Sequence, residues 1–345
     1  VASSRELVAA IKSASDGETI LVEPGYYEPM LVQNADSGGR AIIRSADKSD
    51  RAVIGRLDLR NVSGFDFEFL KFQGPADGQR YKLVLTNGRN MSFRNLEFVG
   101  KDNRIDPAVD PAVLLRDSSQ LTLAQSQFSY FVSGIAFVNV KDIKILDNQI
   151  ESVQYDGIRG GGVENIEIAR NVISTVYPEP RDHPDGIQLW TTGQTEPNRN
   201  IYIHDNLIVR GEGGLLQGIF LRDELGHLPY ENVNISDNLA IGTLWNGITL
   251  AHAQNALIQN NEILSFSDQK SWIRIEDGQD VSLKDNRAAE YVSKRNKGLT
   301  ESGNTRNKPV EATAIAAPIK AWLEAKPVED RPSGPLLERL LAQEK

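Results

Sequence analysis

Along the middle of the chain, apolar and polar residues alternate with a period of two in short runs that lead into Asn. The runs are residues 91–95, 143–148, 166–171, 201–206, 233–238, 256–261 and 281–286. Two earlier runs, 65–69 and 121–126, place Phe69 and Ser126 in the Asn slot. Such alternation predicts short strands with one buried face. From Asn148 the Asn residues follow one another at intervals of 23, 35, 32, 23 and 25. The short intervals fit one coil of three short strands and three turns, and the long ones a coil with an inserted loop of about ten residues. Asn in a turn tolerates left-handed backbone, and stacked Asn side chains can hydrogen-bond from coil to coil. That column is expected to be structural.

A second column keeps step with the first. Gly-Ile recurs at Gly134-Ile135, Gly157-Ile158, Gly186-Ile187, Gly218-Ile219 and Gly247-Ile248, and Trp272-Ile273 occupies the same slot one coil later. Two columns in register predict an all-β chain, a single right-handed parallel β-helix. In such a repeat each coil contacts only its neighbours, so 345 residues need not divide into separate cores. The open end of a β-helix is an unpaired sheet edge and needs a cover. Residues 3–14, with Ser3 three positions before Glu6 and apolar Leu7, Val8 and Ile11, predict a capping helix. The expected division is a β-helix over 1–290 with this N-terminal cap. A tail with short helices follows over 291–345, packing on the β-helix or capping it.

Strands bury alternate residues, so the neighbours of each buried Ile face outward. One outward column reads Ala136, Arg159, Gln188, Phe220, Thr249 and Arg274; the next reads Val138, Gly161, Trp190, Arg222, Ala251 and Glu276. Neighbouring coils lie about 4.8 Å apart. Arg159, Gln188, Trp190 and Arg222 therefore share one strip, and loops at 177–186 and 211–217 border it. Arginine forks suit carboxylates and aromatic faces suit sugar rings. His183, between Asp182 and Asp185 just before Gly186, is the candidate proton-transfer group, since histidine titrates near neutral pH. Tyr155 holds the matching corner one coil earlier. His252 and Arg274 border the same face, while His204 lies within an Asn run and is expected to be exposed.

The net charge of -9 argues against general nucleic-acid binding. No cysteine is present, which excludes disulfides and thiolate metal sites. No apolar run is long enough to span a bilayer.

With its helix, the Asp16-Gly17 turn, the strand 19–22 and Gly25-Tyr26, the chain resembles the β-helical polysaccharide lyases and alginate C5-epimerases. Those epimerases carry Asp-Pro-His-Asp/Glu near a Tyr-Gly segment. Here Asp182-His183-Pro184-Asp185 has the middle pair reversed, and Tyr155-Asp156-Gly157 lies one coil earlier. The resemblance implies a secreted or periplasmic protein that acts as a monomer on an anionic polysaccharide. The leading expectation is a lyase that cleaves a uronate polymer by β-elimination. His183 and Tyr155 would move protons, and Arg159 and Arg222 would neutralise the carboxylate. Asp185, Gln188, Trp190, Asp223, His252 and Arg274 would contact substrate. No cofactor is required; calcium is an option, with Asp182, Asp185 and Asp223 as oxygen ligands. Epimerisation at C5, inverting hydrolysis by carboxylates drawn from Asp156, Asp185 and Asp223, and non-catalytic glycan binding are the alternatives.

Overall fold

The computed structural model describes residues 1–75, 80–102, 104 and 108–343. The chain winds as a right-handed parallel β-helix whose coils pair strictly in parallel. Each coil has three faces. In one coil the long strand Ile158–Ala169 supplies two of them, bending at Gly162 and Asn165, both with positive φ. Val172–Val176 supplies the third. The first two faces stack into an 18-stranded sheet and the third into a 12-stranded one. Inward residues fill the tube. Phe72, Phe98 and Phe128 stack with ring centroids 4.6 and 4.7 Å apart. Ile135, Ile158, Ile187, Ile219 and Ile248 form a fully buried column.

The Asn runs build a buried amide ladder. Asn148, Asn171, Asn206, Asn238, Asn261 and Asn286 are all sequestered. The backbone N–H and side-chain NH₂ of each donate to the amide oxygen of the next. Left-handed backbone falls one residue earlier than the sequence reading places it, at Asp147, Arg170, Asp205, Asp237, Asn260 and Asp285. Ser126 joins the ladder as expected, its N–H donating to Asn148. Phe69 and Asn95 do not occupy the slot. They are the left-handed residues, and Leu70 and Leu96 fill the position in those coils. An apolar residue there needs no amide partner, so the ladder starts only where Ser126 and Asn148 provide one.

The helix α1 (Ser4–Ser13) closes the N-terminal end, with Ser3 accepting from the Glu6 N–H and Leu7 and Ile11 buried. At the other end the coils run past 290. Glu290–Lys294, Thr300–Ser302 and Thr305–Arg306 add strands, and Asn304 extends the ladder. The helices α2 (Ala316–Glu324) and α3 (Pro335–Leu341) lie along the flank. Ile319, Trp322, Leu337 and Leu340 join Leu207, Leu239 and Phe266 in a second apolar cluster outside the tube. No helix among the described residues is long and apolar enough to cross a membrane.

Candidate functional site

Pairing fixes both outward columns. Ala136, Arg159, Gln188, Phe220, Thr249 and Arg274 are successive partners, and so are Val138, Gly161, Trp190, Arg222, Ala251 and Glu276. One refinement occurs at the last Gly-Ile step. Asn246 pairs with Trp272 and Ile248 with Ile273, so Gly247 bulges out of register.

The strip divides into two clefts. The upper one, of about 230 Å³, is lined by His183, Asp185, Gln188, Arg222, Arg274 and Glu276, among others. The lower one, of about 640 Å³, is bounded by Tyr81, Leu114, Ala136, Val138, Arg159 and Trp190. Glycine shapes the wall between them. A Cβ at Gly161 would stand 2.8 Å from the Trp190 indole nitrogen, so the missing side chain lets the indole lie across the next coil.

Tyr155 and His183 come together as expected, with ring centroids 6.1 Å apart. Burial, and then the charge of Asp156, raises the Tyr155 phenol above its ordinary value. It therefore stays protonated at neutral pH and is a better proton donor than base. Arg159 sits between the rings of Tyr155 and Trp190, its guanidinium carbon 5.2 and 5.1 Å from their centroids. It also pairs with Asp156 at 3.2 Å, so part of its charge is already spent on the wall. Arg222 is exposed at the mouth of the upper cleft and has no ion-pair partner among the described residues. Arg274 donates to Glu276 at 2.5 Å.

Beneath the strip lie two buried carboxyl groups on successive coils. Asp185 donates its backbone N–H to Asp156 Oδ1 at 2.8 Å, and Gln188 Nε2 donates to Asp185 Oδ2 at 2.8 Å. Asp185 Oδ1 has no hydrogen-bond partner among the described residues. Burial dominates both groups. It brings Asp156 up to about 6 against the pull of Arg159, and burial together with the charge of Asp156 drives Asp185 well above the usual carboxylate range.

Asp223 and His252 are not cleft residues. The Asp223 carboxylate is buried and accepts from Thr191 Oγ1 at 2.6 Å, the Leu228 N–H at 3.0 Å and His252 Nδ1 at 2.7 Å. This set ties down the loop after Arg222. Burial alone would raise the Asp223 pKa, but these donors outweigh it and bring it to about 2. Gln217, not Asp223, continues the column from Asp185, so the expected run of three carboxylates ends at two. Asp182 is likewise taken up by its own turn, accepting from Gln154 Nε2 and the Glu179 N–H. The three aspartates considered as calcium ligands thus have separate roles, and among the described residues no three His, Cys, Asp or Glu side chains group around a common point. His204 is buried rather than exposed, stacked on Tyr202 and held by Asp205 at 2.6 Å.

Several cleft residues escape the sequence reading. Gln217 and Asn246 precede Gly218 and Gly247 as Asp156 and Asp185 precede their glycines, so this third column was open to view. Tyr81 stands before the strand Leu83–Thr86, outside any repeated column, and only the fold brings it to the groove.

The tube and its groove define a right-handed parallel β-helix of the kind found in carbohydrate-active proteins. The chain belongs to the right handed beta helix region family, whose model matches residues 83–265. No curated protein matches it. Among solved structures, the Dettilon tailspike protein is similar at 13% identity and a TM-score of 0.57, over 88% of this chain and 62% of the tailspike chain. The chain thus spans less than two thirds of that protein's length. PfbA, a surface adhesin of Streptococcus pneumoniae, is similar at 14% identity and a TM-score of 0.55, over 89% of this chain and 91% of the adhesin. An alginate lyase from Paenibacillus sp. str. FPU-7 follows at 16% identity and a TM-score of 0.49, over 88% of this chain and 98% of the lyase. At these identities the likenesses speak to architecture alone.

Proposed function

We propose that this protein is an enzyme acting outside the cytoplasm, which cleaves an anionic, uronate-containing polysaccharide by β-elimination. The observation that carries the reading is the Tyr155–His183 ring contact at 6.1 Å, in the loop region that borders the cleft of the unpaired Arg222. Arg222 binds the uronate carboxylate and offsets the charge that builds as the neighbouring C–H bond weakens. His183 takes the C5 proton. The electron pair forms the C4–C5 double bond, the C4–O bond breaks, and Tyr155 protonates the departing oxygen. Removal of a positioned base costs about 10²–10⁴-fold in rate, so His183→Ala should fall in that range.

A second reading has its own support. A carboxyl group held near 6, as Asp156 is, suits a general acid in hydrolysis. Its burial beneath Arg159 places it below the strip, which favours the first reading. C5-epimerisation shares the initial proton transfer. Incubation with alginate, pectate and glucuronan, following ultraviolet absorbance and reducing ends together, separates these cases. Both signals rising, and both lost in His183→Ala and Arg222→Ala, is the expected result. Reducing ends without absorbance would replace elimination by hydrolysis. Silence in both, with C5 exchange in deuterated water, would replace it by epimerisation.

A further inference from the structure

The groove has two chemistries along one strip. Beside and above Trp190 most outward residues are polar, Gln188, Arg222, Thr249 and Arg274, with Phe220 and Ala251 between them. Below it, past Arg159, an apolar patch opens. Leu114 and Ala136 are successive outward partners, Val138 is the next outward position on the strand of Ala136, and the three form the floor of the larger, 640 Å³ cleft. Tyr81 and Trp190 stand over this floor. An apolar concavity with aromatic walls on the outside of a sheet is a ligand-binding feature rather than an ordinary surface.

We infer that this lower cleft binds a neutral sugar unit of the same polysaccharide, so that the substrate is a heteropolymer in which uronate and uncharged residues adjoin. The inference rests on the proposed polysaccharide substrate and specifies its composition. Continuity is the first ground, because one chain laid along the strip passes from the Arg222 cleft onto Trp190 and then over Leu114 and Ala136. Charge is the second. A carboxylate in the lower cleft would meet Glu179 on its rim, and Arg159, the only arginine lining it among the described residues, is already paired with Asp156. Ring shape is the third: the apolar face of a sugar packs on flat aromatic and aliphatic surface.

The test is calorimetric binding of two probes to the whole protein. One is the gellan tetrasaccharide repeat, in which glucuronate is joined to glucose and rhamnose; the other is tetramannuronate, which carries a carboxylate on every unit. The gellan unit should bind more tightly. Trp190→Ala and Tyr81→Ala should each weaken it about fivefold, within the range of an aromatic contact, and change tetramannuronate less than about twofold. Trp190→Phe keeps a flat face and should recover most of the loss, which separates stacking from a folding defect. Equal affinity for both probes, equal loss on both, or no binding of either would overturn the inference. Arg222→Ala gives the independent control, since it should weaken both probes. If it does so while Trp190→Ala fails to discriminate, only the neutral subsite falls. If Arg222→Ala affects neither, the uronate reading itself falls.

Discussion

Asn238 and Asn232 lie on the same coil, six positions apart, and removing each side chain should have very different consequences. Asn238 is 1% exposed. Its amide donates to the carbonyls of Ile203 and Ser236 and to Asn261 Oδ1, and its oxygen accepts from the backbone N–H and side-chain amide of Asn206. In Asn238→Ala all five are lost, and the Asn206 backbone N–H is left in a dry interior without its acceptor. That orphan alone costs about 1–3 kcal/mol, and each lost bond nets about 0.5–1.5 kcal/mol. Because several of these groups keep other partners, the sum is about 4 kcal/mol. With an unfolding entropy of about 2.1 cal/mol/K per residue, that is a fall of about 5 °C in melting temperature for a chain this long. Asn232 sits in an exposed ladder, donating to Asn200 at 3.0 Å and accepting from Asn255 at 2.8 Å, with φ of 55–56° at these turns. Asn232→Ala loses two solvent-screened bonds and puts Ala in left-handed backbone, for about 1 kcal/mol. Thermal unfolding followed by circular dichroism on both variants decides the matter. Equal shifts would refute the claim that the buried ladder, and not Asn as such, holds the coils in register.

Two further outcomes follow from the same geometry. Asp223 has a folded pKa near 2, below its ordinary 3.8, so its stabilisation is full above about pH 4 and is lost as pH falls toward 2. The loss amounts to about 2 kcal/mol, and Asp223→Asn should flatten that part of the stability-versus-pH curve measured by urea unfolding; an unchanged slope would count against it. Gly160→Ala would set a Cβ about 2.0 Å from the Phe137 ring, an overpacked core worth about 1–3 kcal/mol. A melting temperature equal to wild type would show that Phe137 yields without cost.

Most of the fold was legible because a parallel β-helix repeats one local rule. The Gly-Ile step and the Asn runs gave the coil, the register and both outward columns, and pairing reproduces the columns residue for residue. The pattern misplaces residues where the rule loosens. At Phe69 and Asn95 the turn residue resembled the slot residue, because both tolerate the same run of alternation, and the assignment slipped by one. The last coil, Glu290–Arg306, kept the pairing after its sequence had lost the apolar pattern, since an end coil is covered on one side only.

The sequence by itself determined the tube, the strip that faces solvent, and the pairing of Tyr155 with His183 at one corner. Periodicity carries that information, because residues at equal places in successive coils must stack about 4.8 Å apart. The tertiary structure decided which charges are free. Asp223, His252 and Asp182 belong to loops, and a loop's side chains point wherever its own hydrogen bonds turn them. Arg159 is held by the buried carboxylate of Asp156, three residues earlier, whereas Arg222 has no ion-pair partner among the described residues, and the outward alternation alone does not separate the two. Tyr81 reaches the groove only because the coils close upon one another, and that closure joins positions a linear pattern leaves apart.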